Sequence, residues 1–85
     1  MLLRIIQTTE DSTTVIRIDG RLVGVGVAEL ARVSQAAVPP LAIDLTHLQQ
    51  ADADGIALLQ ALVDAGVRLR GVSPYITLLL NRPRP

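Results

Sequence analysis

Hydrophobic and polar residues alternate with a period of two in Leu41-Ala42-Ile43-Asp44-Leu45, placing Leu41, Ile43 and Leu45 on one face and Asp44 on the other. This pattern predicts a half-buried strand. After the polar stretch that follows, Asp52 and Asp54 bracket Ala53, Gly55 comes next, and from Ile56 onward the apolar residues are too dense for a strand of that length. The change of period marks a strand-to-helix turn.

The flanking sequence supports this junction. Leu2 to Gln7 and Thr14 to Asp19 read as two strands joined through the polar residues Thr8 to Ser12, a hairpin that Gly20 ends. From Val25 to Ala37, the residues Val27, Leu30, Ala31 and, beyond them, Val38 recur near helical spacing, with Glu29, Arg32 and Gln35 on the wet side. Pro39-Pro40 stops that helix and delivers the chain into the strand at Leu41. The helix predicted over Asp54 to Ala65 is apolar almost all round, with Gln60 and Asp64 as its polar interior positions. It either lies deep in the core or offers apolar area to a partner. Gly66 is a C-terminal cap, Val67 to Val72 a further strand, and Ser73-Pro74 an N-cap followed by proline at the first position of a short helix to Leu80. The tail from Asn81 to Pro85 cannot continue it.

The predicted order is β-β-α-β-α-β-α in one domain, residues 1–81, with a loose tail over 82–85. Alternating strands and helices imply an α/β fold with a mostly parallel, four-stranded mixed sheet, the hairpin adding one antiparallel edge. Arg17, Asp44, Arg68 and Arg70 fall at outward strand positions, so the helices are expected mainly on one face. Asp44 is then expected to pair with Arg17 or Arg68.

Composition narrows the function classes. With 49% apolar residues, the chain of 85 can fold as one small domain, and with Tyr75 as its single aromatic the core is aliphatic. Eight arginines balance eight acidic residues and lysine is absent, which argues against a nucleic-acid binder working through a general positive field. No basic amphipathic face suits a membrane surface, and the apolar run at Met1 to Ile6 is too short to span one or to act as a signal peptide. The absence of cysteine excludes disulfide and thiolate chemistry and fits a cytoplasmic home.

Candidate chemistry is sparse. Asp52 or Asp54 caps the helix, or the turn that holds them is a recognition surface. Gly24-Val25-Gly26 invites a nucleotide reading, but no third glycine opens the helix and no Walker lysine exists. His47 is the sole histidine and reads as a solvated turn residue. No nucleophile and base are spaced for catalysis, and the turn carboxylates with one histidine make at most a weak oxygen site for a metal. The expectation is a protein that is not an enzyme and uses no cofactor or metal.

Two passages carry a family resemblance: Ile43-Asp44-Leu45 leading to Asp52-Ala53-Asp54-Gly55, and Gly66-Val67-Arg68-Leu69-Arg70-Gly71-Val72-Ser73-Pro74. In this order they resemble the STAS domain of sulphate transporters and anti-sigma factor antagonists, over about Thr14 to Leu80. The resemblance implies a small α/β fold and a protein-binding role in partner-switching control of bacterial transcription. Antagonists of this family carry Asp-Ser-Ser-Gly or Asp-Ser-Thr-Gly at the turn. There the first hydroxyl residue is phosphorylated by an anti-sigma factor that is itself a kinase, and the added charge releases the complex. Here Asp52 and Gly55 match, while Ala53 occupies the acceptor position without a hydroxyl and Asp54 follows it.

The expected partner surface is therefore Asp52, Ala53, Asp54, Gly55, Ile56, Leu58 and Leu59, facing a kinase-like anti-sigma factor, with no phosphorylation at the turn. The alternative is a structural subunit, resembling the small STAS components on the ATPase of lipid-exporting ABC transporters, or a homodimer burying Ile56, Leu58 or Leu62. Some STAS domains bind nucleotides, which would give Arg68 or Arg70 a phosphate to meet instead of a solubilising role.

Overall fold

The computed structural model describes residues 3–81. Its elements are β1 (Leu3–Glu10), β2 (Thr13–Leu22), α1 (Val25–Ala36), β3 (Leu41–Asp44), β4 (Leu48–Ala51), α2 (Ala53–Asp64), β5 (Arg68–Arg70) and α3 (Pro74–Leu80). The sheet runs β1-β2-β3-β5, with β4 paired to β2 beyond the end of β3. β1 and β2 are antiparallel and the other pairings parallel, as the alternation of strands and helices requires. The tail from Arg82 lies outside the described residues.

One aliphatic core holds the layers together. Ile16, Ile18 and Leu22 of β2, Ile43 of β3 and the adjoining Leu45 meet Leu30 of α1, Leu59 of α2 and Ile76 of α3, all fully buried. These strand residues lie on one face of the sheet, and all three helices pack there. The other face carries Arg4, Arg17, Asp19, Asp44, Arg68 and Arg70 at alternate positions. The fold class expected from the sequence holds, with five strands instead of four.

The extra strand, β4, has a physical explanation. Gly20 pairs with Leu48 and Arg21 with Gln50, so Gln49 is an additional residue in β4, a bulge. The bulge cancels the alternation and lets Leu48 and Ala51, three apart, both reach the core. β2 runs through Gly20 (φ 97) instead of ending there and continues to Leu22. β1 also outlasts its expected end at Gln7, because Thr8 and Thr9 are β-branched and pair with Val15 and Thr14. The hairpin turn is just Asp11 and Ser12, both at positive φ (48 and 66), the geometry of a type I′ turn. Val38 was expected on the α1 stripe, but it follows the end of that helix and is exposed.

The helix ends follow their sequence signals closely. Ser73 Oγ accepts from Ile76 N–H at 3.1 Å and Pro74 opens α3. At the end of α2, Gly66 adopts φ 96, its N–H donates to Val63 O, and Val67 N–H donates to Leu62 O, the paired bonds of a Schellman motif. Among the described residues, no helix is long and apolar enough to cross a membrane.

Candidate functional site

The strand-to-helix turn is fixed by Asp52 and Gly55. Asp52 is the N-cap of α2, extended at φ −81, and its Oδ1 accepts from Gly55 N–H at 2.8 Å. Its Oδ2 accepts from Gly24 N–H at 3.1 Å, in the loop that opens α1. Asp52 N–H in turn donates to Leu22 O at 3.1 Å, anchoring the turn to the end of β2. Hydrogen bonds from the Gly55 and Gly24 amides, in that order of size, hold the Asp52 carboxyl below its ordinary range despite some desolvation.

Gly55 is required by contact. A Cβ there would lie 2.6 Å from Leu22 O and 3.1 Å from Leu22 Cγ. The helix start therefore packs onto the β2 backbone as closely as a peptide allows, with Gly55 buried.

This frame presents Ala53 and Asp54 to solvent, followed one turn later by exposed Ala57. Asp54 in the first helical turn complements the positive end of the helix dipole. The remaining residues of the expected surface face elsewhere. Ile56 and Leu59 are core residues, at 9% and 0% exposure, and so support the turn from beneath. Leu58 and Leu62 are half-buried against the same core. A homodimer burying Ile56 is thus excluded by the packing of the monomer. Of the two alternatives for α2, the core accounts for its Ile56 and Leu59 side, while Ala53, Ala57, Ala61 and Val63 remain outside.

The charged sheet face is internally paired in a way the sequence did not specify. Arg17 makes a two-pronged pair with Asp19, Nε to Oδ1 at 2.8 Å and the second guanidinium nitrogen to Oδ2 at 3.0 Å, instead of meeting Asp44. That bond holds the Asp19 carboxyl below its ordinary range. Asp44 accepts from Thr46 Oγ1 at 2.6 Å and Thr46 N–H at 2.9 Å, and its nearest cation is Arg70 at 3.9 Å, not Arg68. Arg70 also lies 3.6 Å from Glu10, so its charge is shared between carboxylates. Arg68 is exposed. His47 is exposed, with Nδ1 3.9 Å from Asp19. Among the described residues no group of three or more His, Cys, Asp or Glu gathers as metal ligands would.

No family model matches the sequence, and no curated protein matches it. Solved structures do. The chain is similar to an antisigma-factor antagonist STAS domain from Rhodobacter sphaeroides at a TM-score of 0.65 and 18% identity, covering 82% of this chain and 87% of that one. It is similar also to an anti-sigma factor antagonist from Mycobacterium paratuberculosis, at a TM-score of 0.67 and 16% identity over 94% of this chain and 95% of that one. A five-stranded mixed sheet covered by three helices is a STAS-like fold, the one shared with these structures.

Proposed function

We propose that this chain is a non-catalytic protein-binding module of the anti-sigma factor antagonist kind, docking its partner through the first turn of α2. The observation that carries this reading is the contrast within four consecutive residues: Asp52 and Gly55 are locked into the scaffold, whereas Ala53 and Asp54 stand exposed on it. A rigid, protruding helix start suits recognition, because little conformational entropy is lost when a partner settles on it. The similarity to solved antagonists supports the same reading.

The partner is a cytoplasmic anti-sigma factor of the kinase type. Ala53 stands where such a kinase would find its hydroxyl, so no phosphoester forms there, and Asp54 supplies permanent negative charge beside it. The complex is controlled by abundance or competition instead of by phosphorylation at this turn.

The test is affinity purification from the native host with the wild type and with Ala53→Arg and Asp54→Ser, read by mass spectrometry. The reading requires a protein captured by the wild type and lost with Ala53→Arg, with Asp54→Ser weakening its recovery. Undiminished capture by both variants overturns it.

A further inference from the structure

β1 is an open edge of the sheet. Among the described strands it ends the sheet, runs for eight residues and keeps an unbroken register with β2. Long edge strands are normally blunted by proline, bulges or charged side chains, above all lysine. β1 has no proline, lysine or bulge, and its two charges, Arg4 and Glu10, are of opposite sign. The opposite edge, β5, is three residues long and carries Arg68 and Arg70, which would repel a second copy.

The turn geometry settles which backbone groups of β1 are open. In a hairpin closed by two residues, the flanking pair bond each other, here Glu10 and Thr13. Glu10, Thr8, Ile6 and Arg4 then aim their amides and carbonyls at β2, whereas Thr9, Gln7 and Ile5 aim theirs away from it. Antiparallel self-pairing must bring these outward groups together. The register centred on Gln7 does so, with Gln7 opposite Gln7 and Ile5 opposite Thr9. It also sets Arg4 opposite Glu10 of the second copy at both ends, and Ile6 opposite Thr8. Shifting by one step in either direction puts Arg4 or Glu10 opposite an uncharged residue.

The charges beyond the edge continue this pattern. Arg4 is the register partner of Asp19, and Glu10 lies 3.6 Å from Arg70. Joining two copies would therefore build a row of alternating sign, Asp19 and Arg4 of one chain followed by Glu10 and Arg70 of the other.

From this self-complementary edge we infer that the chain forms a two-fold dimer through β1, pairing antiparallel about Gln7 into one continuous sheet. The dimer goes beyond the reading of the α2 turn and does not depend on it, since β1 contributes no residue to that turn.

Sedimentation equilibrium over a wide concentration range tests it. The wild type should sediment as a dimer. Gln7→Pro removes an outward N–H and no β1 to β2 bond, a substitution edge strands accept; it should give a monomer with unchanged far-ultraviolet circular dichroism. Arg4→Glu and Glu10→Arg should each weaken self-association by about tenfold, since each reverses both cross-strand charge pairs. An equimolar mixture of those two variants should recover the dimer, because unlike charges then face each other at both ends. A monomeric wild type, a dimer that survives Gln7→Pro, or a mixture no tighter than its components overturns the inference.

Discussion

The carboxylate of Asp52 accepts from Gly24 N–H at 3.1 Å across a separation of 28 residues, while its other oxygen caps α2. α1 has no side-chain cap of its own, its N-cap being Gly24. One residue thus ties the starts of two helices together through its side chain and both to the end of β2 through its backbone N–H. Asp52→Ala should lower the urea midpoint, and Asp52→Asn, which keeps one carbonyl oxygen, should lower it less. The Gly24 amide is the specific reporter: its hydrogen exchange should quicken by on the order of tenfold in Asp52→Ala. An unchanged Gly24 amide would mean that the link between the helix starts does not exist in solution.

Acid should weaken the fold through four carboxylates. Asp19 is lowered by its bond from Arg17, Asp44 by bonds from Thr46, Asp52 by the Gly55 and Gly24 amides, and Glu29 by its bond from Arg32. For a group whose folded pKa is depressed, the unfolded chain binds more protons at a given acid pH, so stability rises with pH through that range. Their contribution is fully present above the ordinary carboxylate value, roughly pH 4, and is lost as pH falls through the lower folded values. Urea titrations from neutral pH to pH 2.5 should show a midpoint flat at first and then falling. Asp52→Asn should flatten part of that fall.

Gly55→Ala reverses a familiar expectation. In an exposed helix the change would stabilise by about 1 kcal/mol. At this position the new methyl would sit 2.6 Å from Leu22 O, which is backbone and cannot swing aside. Displacing the helix start breaks the Asp52 links as well, and a net loss of about 2 kcal/mol or more is expected from overpacking of this kind. Thermal denaturation of the variant decides the sign.

The readable parts of the sequence were those where a local rule and the global packing agree. Ile43 and Leu45 point inward and Asp44 outward, as their alternation requires, and Ser73-Pro74 and Gly66 act as the caps they look like. β4 was illegible because the bulge at Gln49 erases the period of two by which a strand is recognised. The α2 face was illegible for a different reason. Ile56, Ala57, Leu58 and Leu59 are all apolar, so composition cannot tell the buried pair, Ile56 and Leu59, from the exposed Ala57. The second acceptor role of Asp52 depends on the approach of a distant loop, and no local pattern encodes that.

Deleting Gln49 tests the bulge directly. Without it Leu48 and Ala51 are two apart instead of three, and plain alternation keeps both on the core face. The shortened strand should therefore hold its pairing with β2, and the urea midpoint should fall far less than in Leu48→Ala, which removes a buried side chain and should cost about 2 to 5 kcal/mol. Gln49→Ala, which keeps the residue count, should leave the midpoint nearly unchanged. A deletion as damaging as Leu48→Ala would show that Gln49 is not a bulge residue.

Ala57 and Leu59 lie two residues apart on α2 and should separate binding from folding. Leu59 is fully buried, and Leu59→Ala should cost about 2 to 5 kcal/mol from lost burial and the cavity left behind. Ala57 is exposed one turn beyond Ala53, so Ala57→Arg should change stability by no more than about 0.5 kcal/mol. If the first turn of α2 is the docking surface, the arginine at that site obstructs the partner sterically while the monomer stays intact. Paired measurements, urea denaturation and recovery of the captured partner, should therefore give a stable, non-binding Ala57→Arg. A stable variant that still recovers the partner fully would move the interface off this helix start.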